Sequence, residues 1–238
     1  MGDDELMDNV RGLRSRGCTP RQIAHALGVR PAKVAPLVRA IAKEQAATAP
    51  QPAVAGCWVS PGWSVGLTVD QQYGWPDRPG SGTEASGLAG VVVAREGRSQ
   101  RADVSVCGYL VDTYCLGVKD AMGPWSMDPI KLRRFLNRFF TAFDDEPLEA
   151  PIELARHLVW GAVAYARRLG FEPHPDFAMA AEHLSPLSGA NAIGFGRFGK
   201  PFYVQGPYDD VDRIVRTLGK RVGMDDAHFL VEAPLPRM

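Results

Sequence analysis

The stretch GCTPRQIAHALGVRPAKVAPLVRAIA, Gly17 to Ala42, carries the clearest fold signal in the chain. Thr19 followed by Pro20 is an N-cap residue with proline at the first helical position, a pair that starts a helix. Ile23, Ala24 and Leu27 then fall on one face. Gly28 ends the run, because glycine adopts the left-handed conformation that closes helices. Pro31 opens a third helix in which Val34, Leu37, Val38 and Ile41 again share a face. Upstream, Leu6, Val10 and Leu13 recur at helical spacing until Gly17 breaks it. Residues 5–44 therefore read as three helices closing on a small apolar core.

The charges of this segment are one-sided. From Arg11 to Lys43 the charged residues are Arg11, Arg14, Arg16, Arg21, Arg30, Lys33, Arg39 and Lys43, with no Asp or Glu among them. The whole chain balances 27 basic against 27 acidic residues, so the remainder is net acidic. A basic module on an acidic body is a layout suited to a polyanionic partner.

Gln22-Ile23-Ala24, the Leu27-Gly28-Val29 turn and Val34 follow the pattern Q-I-A-x-x-L-G-V before a third helix. Residues from Val10 to Ile41 thereby resemble the helix-turn-helix of resolvases, transposases and sigma-factor-type regulators. The resemblance implies that the third helix enters a DNA groove, with Arg30, Ala32, Lys33, Ala35, Pro36 and Arg39 on or near its outer face. Arg21, Arg30, Lys33, Arg39 and Lys43 are the candidate DNA-contacting residues, and double-stranded DNA is the expected partner. Pro36 departs from the pattern, since proline inside a helix removes a hydrogen bond and costs roughly 3 kcal/mol away from the first turn. The outer face also lacks Asn and Gln, so it suits phosphate contact better than base reading. One such unit makes few phosphate contacts, so the sequence points to a homodimer or a protein partner for useful affinity.

Glu44–Gly56, EQAATAPQPAVAG, has no hydrophobic period and reads as a linker. The expected division is a module at 1–44, a linker at 45–56 and a larger domain at 57–238. In that domain GLAGVVVAR and ADVSVCGYLVD are β-branched runs suited to adjacent strands. SMDPIKLRRFLNRFFTAF reads as a helix capped by Asp128, and APIELARHLVWGAVAYARRLGF as a central helix. AIGFGR and PFYVQG read as a hairpin turning at Phe198-Gly199-Lys200, with a helix near Asp210–Leu218 and a last strand in HFLVEA following. Strands and helices mix without regular alternation, so the expected fold class is α+β: a small all-α tri-helical module, then a larger mixed domain.

Chemistry in the larger domain is suggested most by GYLVDTYCLGVKDAMGPW. Asp112, Cys115, Lys119 and Asp120 crowd near a strand end, where scaffolds display reactive groups. They are the candidate catalytic residues, with His174 of LGFEPHPDF as a further one. The bland alternative has Asp112 and Asp120 capping a short helix, Lys119 solvated and Cys115 buried. It is favoured here because a cysteine nucleophile needs a base or a lowered pKa. His157, His174 and His183 lack the spacing of a metal site, and Asp176 is expected to cap the helix after His174. No glycine spacing matches a phosphate loop. No metal and no cofactor are expected. LVDTYCLGVKDA, ARRLGFEPHPDF and FGRFGKPFYVQGPYDD are similar to segments of bacterial helix-turn-helix-containing proteins that carry no assigned activity, so this likeness implies no catalytic role.

The start MGDDELMDNV shows no secretory signal, and no run of about 18 apolar residues exists to span a membrane. The cysteines Cys18, Cys57, Cys107 and Cys115 form no CxxC pair and read as free thiols in a reducing compartment, so the expected location is the cytoplasm. The expected function is DNA binding in a regulatory or DNA-associated protein, the larger domain sensing a ligand, dimerising or docking a partner. The alternatives are a hydrolase or nuclease working near Asp112, Cys115, Lys119 and Asp120, and a protein- or RNA-interaction module.

Overall fold

A computed structural model of the chain describes residues 3–48, 51–79, 87–97, 103–143, 146–223 and 226–231. The chain divides into two compact units, Met1–Gln51 and Pro52–Met238.

The first unit holds α1 (Asp3–Ser15), α2 (Pro20–Ala26) and α3 (Pro31–Thr48). Its core is Leu6 and Val10 of α1, Ile23 and Ala24 of α2, and Val34 and Ile41 of α3. Ile23 and Ile41 are almost fully buried, and each contributes about 1.5–3 kcal/mol of transfer free energy. Both turns close in the same way. Gly17 and Gly28 take positive φ, and the next residue donates back into the helix: Cys18 N–H to the Leu13 carbonyl, Val29 N–H to that of Ala24. Thr19 caps α2 reciprocally: its Oγ1 accepts the Gln22 N–H at 3.4 Å, and its own N–H donates to Gln22 Oε1 at 2.8 Å. α3 continues through Pro36 to Thr48. The segment expected as a linker from Glu44 is thus helical at its start, and β1 (Val54–Val59) begins inside its other end. Alanine-rich sequence extends a helix already nucleated by packing, which composition alone does not register.

The second unit is mixed α+β, as expected. Its five-stranded antiparallel sheet has the order β5-β4-β3-β1-β6, with β3 at Leu88–Glu96, β4 at Val104–Asp112, β5 at Gly117–Met127 and β6 at Leu148–Glu149. Side chains alternate across this sheet. Val91, Val93, Cys107, Tyr109 and Val111 pack with α5 (Ile152–Leu169) and α6 (Phe177–Leu184). Val92, Ala94 and Val106 pack on the other side with Phe140 of α4 (Pro129–Phe140) and with Phe143. Both faces are covered, so the run from Leu88 to Ala94 is continuously apolar instead of alternating. Asp128 caps α4 by accepting the Lys131 N–H at 2.8 Å. Among the described residues no helix is long and apolar enough to cross a membrane.

The expected hairpin of AIGFGR and PFYVQG does not form. Ile193–Gly194 (β7) pairs with Thr68–Val69 (β2), and Phe202–Val204 (β8) pairs in parallel with His228–Leu230 (β9). The isolated bridge Arg197–Lys200 closes the turn between the two segments without pairing them as strands. The turn chemistry at Phe198-Gly199 is present, but strands this short take whichever partner the core places beside them.

Candidate functional site

Two places gather the residues singled out by sequence. The first is the outer surface of the three-helix unit. With Val34, Leu37, Val38 and Ile41 turned to the core, α3 leaves Lys33, Pro36 and Arg39 at successive i+3 positions on its exposed side. Arg21 of α2 and Arg30 before α3 are exposed as well. None of these four cations has a carboxylate partner among the described residues. The other cations here are engaged: Arg11 pairs with Asp8 at 2.9 Å, while Arg14 and Arg16 donate to the Cys18 and Gly12 carbonyls. The side chain of Lys43 lies outside the described residues. Gln22, the one amide near this face, is held by Thr19 in the cap.

The second place is the turn between β4 and β5. No helix follows Asp112: Tyr114, Cys115 and Leu116 form a tight turn, and Lys119 and Asp120 belong to β5, not to the turn. Asp112 Oδ1 accepts the N–H groups of Tyr114 and Cys115, each at 2.9 Å, so it shapes this turn instead of capping a helix. The ladder pairs Leu110 with Asp120 and Val111 with Val118, leaving Lys119 as the extra residue of a bulge. Bulges re-aim side chains. Here the bulge sets Lys119 Nζ 2.8 Å from Asp209 Oδ2, which also accepts from Tyr203 Oη at 3.2 Å and Gly206 N at 2.8 Å.

Burial pushes the Asp112 carboxyl up to about 6, against the opposing pull of Lys119 and the turn N–H groups. Burial, followed by the charge of Asp112, pushes the Cys115 thiol up strongly. Tyr165 Oη, raised by burial with Cys115 adding to it, is buried without a hydrogen-bond partner among the described residues. A thiol held this far above neutrality is a poor nucleophile. His174 is engaged in its own loop: its Nδ1 is 4.0 Å from Asp120 Oδ1 and 3.8 Å from Asp176 Oδ2 and accepts the Asp176 N–H. Asp176 occupies the N-cap of α6 but makes no side-chain cap bond.

The structure thus joins Asp112, Cys115 and Lys119 with Tyr203 and Asp209, while Asp120 lies 4.0 Å from His174 Nδ1, which accepts the Asp176 N–H. Sequence reading missed Tyr203 and Asp209. A signal was available in QGPYDD, where two adjacent aspartates precede one helix and one cap suffices. Asp210 is the residue that caps α7 (Val211–Arg221), accepting the Arg213 N–H at 3.1 Å.

The three histidines do not converge. His157 Nδ1 accepts the Ala192 N–H, and His183 Nε2 lies 2.8 Å from the Ser105 carbonyl oxygen. Among the described residues no group of three His, Cys, Asp or Glu side chains could hold a metal ion. Compared with protein-family models, with curated proteins and with solved structures, the chain matches none.

Proposed function

We propose that residues 3–48 form a helix-turn-helix module that binds double-stranded DNA, and that the larger α+β unit is the regulatory part of the same protein. The observation that carries this reading is the acid-free exposed face of Arg21, Arg30, Lys33 and Arg39, none of them neutralised by a carboxylate among the described residues. Exposed guanidinium and ammonium groups with no carboxylate partner among the described residues suit phosphate oxygens. The short second helix, the four-residue connection Leu27–Arg30 and the exposed side of α3 support the same reading. With no free amide on that face, binding is set by backbone charge and discriminates weakly between sequences.

The test is anisotropy of the full-length protein on a random-sequence duplex over a salt series. Each phosphate contact adds about 0.9 to the slope of log K against log salt. Lys33→Ala with Arg39→Ala should lower that slope by about 1.8 and weaken binding on every duplex alike. Unchanged binding by the double variant rules out this face. Binding to single-stranded RNA or to protein, with none to duplex DNA, would replace the proposal by an interaction module of that kind.

A further inference from the structure

The larger unit holds a cavity that neither the basic face nor the Lys119 cluster uses. Its volume is about 500 Å3, a size suited to a small molecule, since such sites span about 300–1,000 Å3. Leu110, Met122 and Trp125 line it from the sheet, Phe135 and Phe139 from α4. Trp125 meets Phe135 edge to face, with ring centres 5.8 Å apart, yet stays 47% exposed. An indole half in water beside an apolar hollow leaves favourable burial to be gained by a ligand.

A single charged side chain lines the cavity, that of Arg138. It has no carboxylate partner among the described residues, and neither has Arg134 one helical turn earlier. An apolar hollow edged by a guanidinium with no carboxylate partner among the described residues is complementary to a molecule with an apolar body and an anionic end.

We infer that this cavity binds a carboxylate amphiphile of medium chain length, its chain against Phe135, Phe139 and Trp125 and its carboxylate on Arg138. The inference rests on the reading of the larger unit as the regulatory part of the protein. It is tested without DNA, so its failure leaves the basic face standing, and failure of DNA binding leaves the cavity standing.

The experiment is calorimetric titration of the full-length protein with decanoate and, in parallel, with uncharged decan-1-ol. Decanoate should bind once per chain and about tenfold more tightly than the alcohol, the factor of one charge-assisted hydrogen bond. Arg138→Gln, at an exposed position, should remove that tenfold advantage and leave the alcohol unchanged. Ala142→Trp, also exposed and lining the cavity, should fill it and abolish both. Equal affinity for acid and alcohol, an Arg138→Gln variant that still prefers decanoate, or a folded Ala142→Trp variant that still binds would each overturn the assignment. Absence of saturable decanoate binding would do the same.

Discussion

Lys119 Nζ lies 2.8 Å from Asp209 Oδ2, although the two residues are 90 apart in the chain. The pair fastens the bulge of β5 to the loop before α7. Burial alone would raise the Asp209 carboxyl. The Lys119 ammonium, the Gly206 N–H and the Tyr203 hydroxyl outweigh it and hold the group below its ordinary value.

Lys119→Met strips the counter-charge from Asp209 and from Asp112 together. Both partners of the pair are largely buried, so the expected cost is roughly 2–4 kcal/mol by urea denaturation. Lys119→Met combined with Asp209→Leu should regain part of that loss, because Asp209 no longer stands as a buried charge without its counter-ion, while Asp112 still lacks Lys119. A loss under about 0.5 kcal/mol for the single variant would place the pair among solvated surface contacts. Because the folded carboxyl of Asp209 is depressed, its contribution is present above about pH 4 and is lost as pH falls through the lower folded value.

Asp112 works in the opposite direction. Its folded carboxyl titrates at about 6 against an ordinary 3.8. Between these values the folded protein holds a proton that the unfolded chain has released, so this group lowers stability as pH rises. The swing is roughly 2–3 kcal/mol. Asp112→Asn should lose the swing while still accepting the Tyr114 and Cys115 N–H groups. Denaturation midpoints of both proteins from pH 4 to 7.5 test this, and a constant difference across that window contradicts the account. Asp112→Ala should cost about 1–3 kcal/mol at neutral pH, having orphaned two donors.

All four cysteines are free, three of them buried. Burial pushes the Cys57 and Cys107 thiols up to about 12 and raises Cys115 as well. A disulfide reagent applied to the native protein should therefore label Cys18 first, with the other three reacting only on unfolding. Peptide mapping that finds Cys115 labelled early would turn attention back to it as a nucleophile.

Gly90 of β3 is fixed by the close approach of aromatic side chains packed on that face of the sheet. A Cβ there would stand 2.7 Å from Phe143 Cε2 and 3.1 Å from Phe139 Cε1. Gly90→Ala should destabilise the protein by about 1–3 kcal/mol through overpacking. Adding Phe143→Leu should make the pair of substitutions less than additive. Additive losses in thermal melts would show that Phe143 does not bear on this strand.

The polar cluster was half legible in sequence. Asp112, Cys115 and Lys119 lie within eight positions of one another, so a single motif displays them. Asp209 and Tyr203 belong to a different motif, and nothing in QGPYDD says which strand it will meet. The exposure of Arg21, Lys33 and Arg39 follows from helical spacing, which converts residue order directly into position on a surface.

What the sequence determined alone is whatever depends on a few neighbouring residues. Thr19 and Gln22 close a cap by themselves, Gly17 and Gly28 end helices by their own backbone freedom, and Asp128 starts α4. The run Val91–Ala94 announces a strand buried on both faces because every position in it is apolar. Tertiary structure decided the rest. Two- and three-residue strands such as Ile193–Gly194 and Phe202–Val204 carry too little pattern to choose a partner, so Thr68–Val69 and His228–Leu230 were assigned to them by the packing of the core. The bulge that frees Lys119 for Asp209 exists only once β4 and β5 are in register. An ion pair between residues 90 apart in the chain has no local signal, because its energy depends on distance in space and on the water excluded around it.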